Sequence, residues 1–240
     1  MPRIGQAEPT LAQHDSTGRP GFSSPYRRRD AVMAVLAGLL WAAQALIWTV
    51  GPKVQAADPP YQVTNRPLFD LFWLSIAGAV FGSAAAMGGV LARLGHASSL
   101  RTAGRVATVA TYAGSATAGA AAVLAGTGVA EATCISVMSN ALNGAACALL
   151  LTTALVAIVV ARSHLFRSWE AALPSLLAGL TLLTLVAIMA SGSKAQTGLI
   201  FAVAVVAATG ATWLLLGRAL WRQPNERSTQ AATSHREILQ

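Results

Sequence analysis

The stretch that decides the fold is Val106–Ala161, VATVATYAGSATAGAAAVLAGTGVAEATCISVMSNALNGAACALLLTTALVAIVVA, in which Glu131 is the only charged side chain. The uncharged runs on either side, 106–130 and 132–161, each exceed the ~20 residues that a helix needs to cross a hydrocarbon core about 30 Å thick. A charge is costly inside that core, so the single acidic residue marks a turn at the membrane surface. The stretch therefore predicts two membrane helices joined by a short connection.

Composition extends this interpretation to the whole chain. Hydrophobic residues make up 54% of it and charged residues 11%, whereas an ordinary soluble domain has about 25% charged residues. Reading outward from the central hairpin gives six predicted spans, at about 31–51, 68–92, 106–130, 134–161, 171–190 and 198–217. The predicted fold class is all-α, a polytopic transmembrane helix bundle embedded in the lipid bilayer of the plasma membrane, which is the inner membrane of a bacterial cell.

The basic residues predict the orientation of this bundle. With six spans, only Lys53, Arg66 and Lys194 of the 17 lysines and arginines fall in outer segments, which leaves fourteen inside. Because cytoplasmic loops carry the excess of Lys and Arg, both termini are predicted to be cytoplasmic. Residues 1–30 and 223–240 have few large apolar side chains and are predicted to be disordered tails.

A cleaved signal peptide is the alternative for residues 1–56. It would use the twin arginines near residue 28 and the small-residue site Val54-Gln55-Ala56 before Ala57. The apolar segment has about 20 residues where a signal peptide has 7–15, so a retained first span is favoured. Residue 57 lies outside the cell in both cases.

Rows of small residues predict where helices pack closely. Gly78, Gly82 and Ala86 recur at four-residue spacing in the second span, and Gly114 and Ala118 do so in the third. Such rows let two helix backbones approach each other. Because the third span consists almost wholly of Ala, Gly, Thr, Ser and Val, we expect it to lie inside the bundle. The contacts are expected within the chain, with a homo-oligomer as the alternative.

Four larger polar side chains lie at membrane depth: Gln44, Tyr112, Asn140 and Asn143. They either line a route for a solute or form ordinary hydrogen bonds between helices, and the second use is the commoner one. A second group lies at the outer ends of the spans and consists of Arg66, Asp70 and Glu131. These either form an outer binding mouth or stabilise helix ends and a turn, which is favoured because charges at helix ends are routine.

Several function classes are disfavoured by what the sequence lacks. No acidic, basic or histidine side chain lies in the six uncharged cores, which argues against ion-coupled transport. The residues His14, His96, His164, His235, Cys134 and Cys147 are not spaced as metal ligands. No nucleotide or catalytic motif occurs in a matching context, so we expect no enzymatic activity, cofactor or metal. The basic residues flank the spans instead of clustering with aromatics, which argues against nucleic acid.

One short segment resembles a known group of proteins. Arg167-Ser168, followed by Pro174 and Gly179 in a Leu-rich helix, is similar to small polytopic membrane proteins of high-GC bacteria, which form families of unknown function. The resemblance covers one span and its loop, and Ser175 and Leu176 stand where such families often have Trp. It implies a polytopic membrane fold and no particular activity.

Two functions remain as hypotheses. The first is an accessory, structural or regulatory role, exerted on a membrane-protein partner through packing faces such as Gly78–Gly82. The second is a facilitator or channel for a small uncharged or lipophilic solute, with the third helix, Asn140 and Asn143 lining the route.

Overall fold

The computed structural model describes residues 24–50, 66–93, 99–128, 130–161, 169–190 and 196–238. Every regular element in these ranges is helical, which confirms the all-α prediction. The elements are α1 (Ser24–Val50), α2 (Arg66–Arg93), α3 (Ser99–Gly126), α4 (Glu131–Ala161), α5 (Leu173–Ala190) and α6 (Gln196–Ile238). A 3-10 turn, Glu170–Ala172, precedes α5.

Five helical segments in the described residues are long and apolar enough to cross a membrane: Arg28–Ile47, Arg66–Ala92, Leu100–Gly126, Ala132–Ala161 and Ile200–Arg222. A further segment, Glu170–Val186, which includes most of α5, is apolar but shorter. The chain is therefore a multi-span helical membrane protein in contact with the lipid bilayer.

Helix boundaries differ most from the predicted spans in α1, α3 and α6. Helix α1 begins at Ser24, within the predicted disordered tail 1–30. Helix α3 begins at Ser99, because its first turns, which carry arginines, extend the helix beyond the uncharged run. It ends at Gly126. A turn with positive φ at Gly128 (80°) and Ala130 (45°) then leads into α4, and glycine adopts such angles without a steric penalty. Helix α6 continues over residues 223–238, which the sequence predicts to be a disordered tail. Residues 1–23 of the predicted N-terminal tail lie outside the described ranges.

Five of the six helices form a ring. Helix α1 packs on α2 and α6, α5 packs on α4 and α6, and α2 contacts α4. Helix α3 lies outside this ring, packed on α2 and α4. The buried core includes Trp213 of α6, Phe69 and Met87 of α2, and Met138 of α4.

The position of α3 differs from the expectation that it lies inside the bundle. Of the five candidate spans, α2 is the most buried, at 67%, and α3 the least, at 39%. Its side chains Val106, Val109, Val123 and Leu124 are exposed. Small residues allow a close approach on one side of a helix, but they do not require neighbours on every side, and here the other side is left to the lipid.

Helices α1 and α6 approach most closely at glycines that the sequence analysis did not single out. A Cβ placed on Gly38 would lie 2.8 Å from the carbonyl oxygen of Gly210, and one on Gly217 would lie 3.2 Å from that of Ala31. Lower residue numbers in α1 thus face higher numbers in α6, so the two helices are antiparallel. The start of α1 and the apolar end of α6 therefore lie on the same side of the bundle.

Candidate functional site

Side chains from the five helices of the ring line a partly open cavity of about 360 Å³. Cavities that bind small molecules in proteins measure ~300–1,000 Å³, so this one suits a small ligand. Its walls come from all five helices of the ring and include no residue of α3. The lining residues are Trp41, Gln44, Phe72, Trp73, Ile76, Val80, Ile135, Met138, Ser139, Leu142, Asn143, Ala146, Leu149, Thr181, Thr184, Leu185, Val206, Thr209 and Trp213.

The cavity wall is uncharged. Its lining contains four aromatic rings and six polar side chains, but no Asp, Glu, Lys, Arg or His. An ion entering such a space would lose its hydration without meeting an opposite charge, which is strongly unfavourable. The cavity therefore suits a neutral ligand that combines apolar surface with hydrogen-bonding groups.

The cavity wall contains two amide side chains, Gln44 and Asn143, and Gln44 is the more deeply buried, with 2% of its surface exposed. Its Nε2 donates to the carbonyl oxygen of Phe72 at 2.5 Å and also contacts Ser75 Oγ. A carbonyl oxygen can only accept, so the amide nitrogen must face Phe72, which fixes the orientation of the side chain. The amide oxygen, Oε1, is left buried and without a hydrogen-bond partner.

Trp73 presents a second unpaired polar atom. Its indole Nε1 is buried and has no hydrogen-bond partner. The ring stands edge-on to Phe72, with centroids 5.1 Å apart, and is tilted against Phe69 at 6.2 Å. These contacts restrict the orientation of the indole. In contrast, the indole nitrogen of Trp41 donates to Ser83 Oγ at 3.3 Å, so Trp41 offers the cavity only its ring.

Three threonines add acceptors to the wall. Thr181, Thr184 and Thr209 each donate their hydroxyl proton to the backbone carbonyl four residues earlier, at 2.7, 2.8 and 2.8 Å. A hydroxyl that has donated its proton keeps oxygen lone pairs for a further partner. The polar part of the lining is therefore richer in acceptors than in free donors.

The structure separates the four polar residues predicted at membrane depth. Gln44 and Asn143 line the same cavity, although they lie on α1 and α4, while Tyr112 and Asn140 do not line it. Tyr112 packs edge-on against Phe81 of α2, with ring centroids 4.7 Å apart. Asn140 is exposed on the outer surface of α4.

The residues predicted at the outer ends of the spans lie where α2 starts and α3 ends. A Cβ on Gly128 would lie 2.8 Å from Arg66 Nη2, and one on Gly126 would overlap the Asp70 carboxylate. Both charged side chains therefore rest against the last turn of α3 and the connection that follows. The Glu131 side chain lies outside the described part of the structure.

The predicted packing residues lie between helices of the same chain. A Cβ on Gly78 would lie 3.2 Å from Leu40 Cδ1, and one on Gly82 would lie 3.3 Å from Ala37 Cβ, both on α1. On α3, a Cβ on Gly114 would lie 2.8 Å from the carbonyl oxygen of Ala141 in α4. Ala86 and Ala118 are fully or almost fully buried.

Metal ligands do not cluster in the part of the chain that the structure describes: it contains no group of three or more His, Cys, Asp or Glu side chains. Cys134 and Cys147 are free thiols, the first half-buried and the second exposed.

Sequence reasoning missed most of the cavity wall. Trp73 and the three threonines were not singled out, because tryptophans and threonines are common in membrane helices and nothing in the sequence groups these four. The one available signal was the pair Thr181 and Thr184, three residues apart in the Leu-rich α5, which shows that this helix has a polar side.

Comparison with known proteins found no match among family models, curated proteins or solved structures. The resemblance noted from Arg167 to Gly179 gains no support from these comparisons. The fold itself identifies the chain as a multi-span helical membrane protein.

Proposed function

We propose that this protein is a facilitator that binds a small uncharged solute inside the membrane and lets it cross. The observation that carries the proposal is the uncharged, partly polar cavity of about 360 Å³ lined by α1, α2, α4, α5 and α6. A bundle that served only as a scaffold gains nothing from such a space, because voids forfeit packing contacts.

Passive movement fits the cavity better than coupled transport. A pump or an ion-coupled transporter uses an ionisable side chain within the membrane to couple the two movements. The lining residues include no acidic, basic or histidine side chain. The solute therefore moves down its own gradient in this proposal.

The proposed topology has six spans and cytoplasmic termini. Helix α5 contains 18 residues, about 27 Å of helix, which is close to the hydrocarbon thickness. The antiparallel packing of α1 on α6 supports an even number of spans. Arg28 and Arg29 at the start of α1 and Arg218 and Arg222 near the apolar end of α6 then lie together on the cytoplasmic side, as the positive-inside rule requires.

A flux assay tests the proposal. The purified protein is reconstituted into liposomes and the entry of neutral polyols, amides and aromatic alcohols is compared with that of matched ions. We expect faster entry than in empty liposomes for at least one neutral class and for none of the ions. Rates equal to those of empty liposomes for every neutral class would overturn the proposal.

Two neighbouring substitutions on α4 show whether the cavity is the route. Ala146 lines the cavity, whereas Cys147 is exposed and does not line it. Ala146→Phe adds a ring to the cavity and should abolish the flux, while Cys147→Phe places the same ring in lipid and should preserve it. If both variants fold and show equal flux, the solute does not pass through the cavity.

An accessory role is the second candidate, and the outer surface of α4 favours it. Ser136, Asn140, Gly144 and Cys147 are all exposed there, and a Cβ on Gly144 would meet nothing within 4 Å. Asn140 lies about 13 Å along the helix from Glu131, at a depth where an unpaired amide is unfavourable. A second copy would cover this row best, because an Asn amide both donates and accepts and so pairs with its own equivalent.

Co-purification of two differently tagged copies from mild detergent or nanodiscs tests this second candidate. We expect the tags to be recovered together, and Asn140→Leu to separate them without unfolding the bundle. Recovery of each tag alone would exclude the self-association. A different membrane protein retained in stoichiometric amount would identify a heterologous partner instead.

A further inference from the structure

Helix α4 carries two pairs of one serine and one asparagine, each with a four-residue spacing. Ser139 and Asn143 line the cavity, whereas Ser136 and Asn140 do not. Residues four apart lie on the same face of a helix, with their Cβ atoms about 5–6 Å apart. The pair that lines the cavity therefore places a hydroxyl and an amide next to each other on its wall.

Both side chains of this pair are accessible and free to bind a ligand. Asn143 is exposed and Ser139 is half-buried, and neither forms a hydrogen bond within the part of the chain that the structure describes. In contrast, Thr152 and Thr153 on the same helix donate to backbone carbonyl oxygens four residues earlier, at 2.9 and 3.0 Å. The Ser139 hydroxyl and the Asn143 amide thus keep their hydrogen-bonding capacity for a molecule in the cavity.

The other polar side chains of the wall already use their donors. Thr181, Thr184 and Thr209 each donate within their own helix. The Gln44 amide nitrogen donates to the carbonyl oxygen of Phe72, and the Gln44 amide oxygen is buried away from the cavity space. Of the six polar side chains in the lining, only Ser139 and Asn143 therefore retain free donors.

The aromatic part of the wall lies on other helices. Trp41 belongs to α1, Phe72 and Trp73 belong to α2, and Trp213 belongs to α6. Aromatic rings offer a ligand a broad apolar surface. A molecule in the cavity thus meets free hydrogen-bonding groups on α4 and aromatic rings on α1, α2 and α6.

We propose that the ligand of this cavity is a neutral amphiphile, a molecule with a hydroxyl or amide head group and an apolar body. This inference rests on the proposed function and names its substrate class. The head group bonds to Ser139 and Asn143, whose side chains both donate and accept hydrogen bonds. The apolar body packs on the aromatic rings.

The depth of the pair favours such a molecule over a purely apolar or a purely polar one. Asn143 lies about 18 Å along α4 from Glu131, near the middle of a hydrocarbon core about 30 Å thick. An amide at this depth is unfavourable without a hydrogen-bond partner, and a hydrocarbon provides none. A polyol would leave most of its hydroxyls against apolar side chains. A single neutral head group on an apolar body avoids both costs.

Three probes built on one ring test the inference: benzyl alcohol, toluene and benzylamine. Their binding to the full-length protein, in nanodiscs that hold one copy, is followed by tryptophan fluorescence. Empty nanodiscs measure the partition of each probe into lipid, and affinities are compared at equal concentration in the lipid. Because a hydrogen bond is typically worth a factor of about ten in affinity, we expect benzyl alcohol to bind at least about tenfold more tightly than toluene or benzylamine. Equal affinities for benzyl alcohol and toluene would overturn the inference.

Variants assign the preference to the pair on α4. Ser139→Ala and Asn143→Leu should each lower the affinity for benzyl alcohol about threefold to tenfold and leave that for toluene unchanged. The double variant should bind both probes equally. Ser136→Ala and Asn140→Leu are the matched controls, because they make the same changes on the same helix outside the cavity lining. They should alter neither affinity, and circular dichroism checks that every variant keeps its helical content.

The outcomes separate this inference from the function on which it rests. Saturable binding of benzyl alcohol and toluene without preference, blocked by Ala146→Phe, would leave a solute-binding cavity but refute the role of Ser139 and Asn143. A preference for benzyl alcohol that survives in the double variant would also refute it. A preference that follows the pair, in a protein that passes no neutral solute, would support the binding site and overturn the facilitator. Absence of saturable binding by any probe, together with no flux, would overturn both.

Discussion

Gly210 offers the sharpest test of the ring arrangement, because adding a single methyl group there forces two helix backbones apart. A Cβ at this position would lie 2.9 Å from the backbone nitrogen of Ala42 and 2.9 Å from the carbonyl oxygen of Gly38. An unstrained contact needs at least ~3.4 Å, so Gly210→Ala must move α1 and α6 apart by about half an ångström. Neither obstructing atom belongs to a side chain that can rotate away.

The expected cost follows from the packing of the interface. Overpacking a close-packed contact by one methyl group typically costs ~1–3 kcal/mol. The gain in helix propensity from Gly to Ala, ~1 kcal/mol in an exposed helix interior, opposes this cost. We therefore expect Gly210→Ala to lower the free energy of unfolding by up to about 2 kcal/mol, whereas the same substitution at an unobstructed helical glycine should not lower it.

Gly179→Ala is the matched control, because this glycine is also helical but a Cβ there would meet nothing within 4 Å. The same substitution should be neutral or stabilising there. Both variants are unfolded in mixed micelles with increasing SDS, and the loss of helix is followed by circular dichroism. If Gly210→Ala proves as stable as Gly179→Ala, then α1 and α6 do not pack through Gly38 and Gly210.

Three further predictions concern the core, the outer end of α2 and the topology. Trp213 is fully buried and Trp221 is 54% exposed, so Trp213→Ala should cost about 3 kcal/mol or more and Trp221→Ala much less in the same SDS assay; similar losses would refute the assigned core. Arg66→Ala should lower stability by up to ~1 kcal/mol without changing solute flux if the side chain stabilises the end of α3, whereas a loss of flux would make it part of an outer mouth. For the topology, single cysteines are introduced at residues 2 and 194 in a background without native cysteines. A membrane-impermeant maleimide should label residue 2 from the cytoplasmic side and residue 194 from the outer side. Labelling of both residues from the same side would exclude six spans.

The spans were predictable because lipid imposes a strict rule on sequence. A run such as 132–161 has no charged side chain, and a backbone in hydrocarbon satisfies its hydrogen bonds internally only as a helix or a closed barrel. Length and charge therefore fix the helices to within a few turns. The end of α6 was less predictable, because its polar continuation beyond Trp221 carries no membrane signal.

The arrangement of the helices was not predictable in the same way. Small residues in α3 indicate that a neighbour can come close, but not which neighbour, and the structure uses Gly114 against α4 while leaving much of the helix exposed. Gly38 and Gly210 lie far apart in the sequence but face each other in the structure, and a single sequence does not reveal such a pairing. Tertiary packing, not local propensity, decides these contacts.

The cavity was predictable only in part. Gln44 and Asn143 stood out because large amides are rare at membrane depth, and both line the cavity. Thr181, Thr184 and Thr209 did not stand out, since each hydroxyl also bonds to its own helix backbone and needs no other partner. Only the three-dimensional arrangement brings these side chains to one space.

Protection of a cysteine placed in the cavity wall shows whether a neutral solute occupies the cavity. Thr209→Cys lies in the wall, while Ala207→Cys lies on the exposed side of the same helix. Both are labelled with N-ethylmaleimide in membranes, in a background without native cysteines, with and without the neutral solute that gives the highest flux. We expect the solute to slow labelling at residue 209 and not at residue 207. Labelling at residue 209 that is unaffected by saturating solute would contradict it.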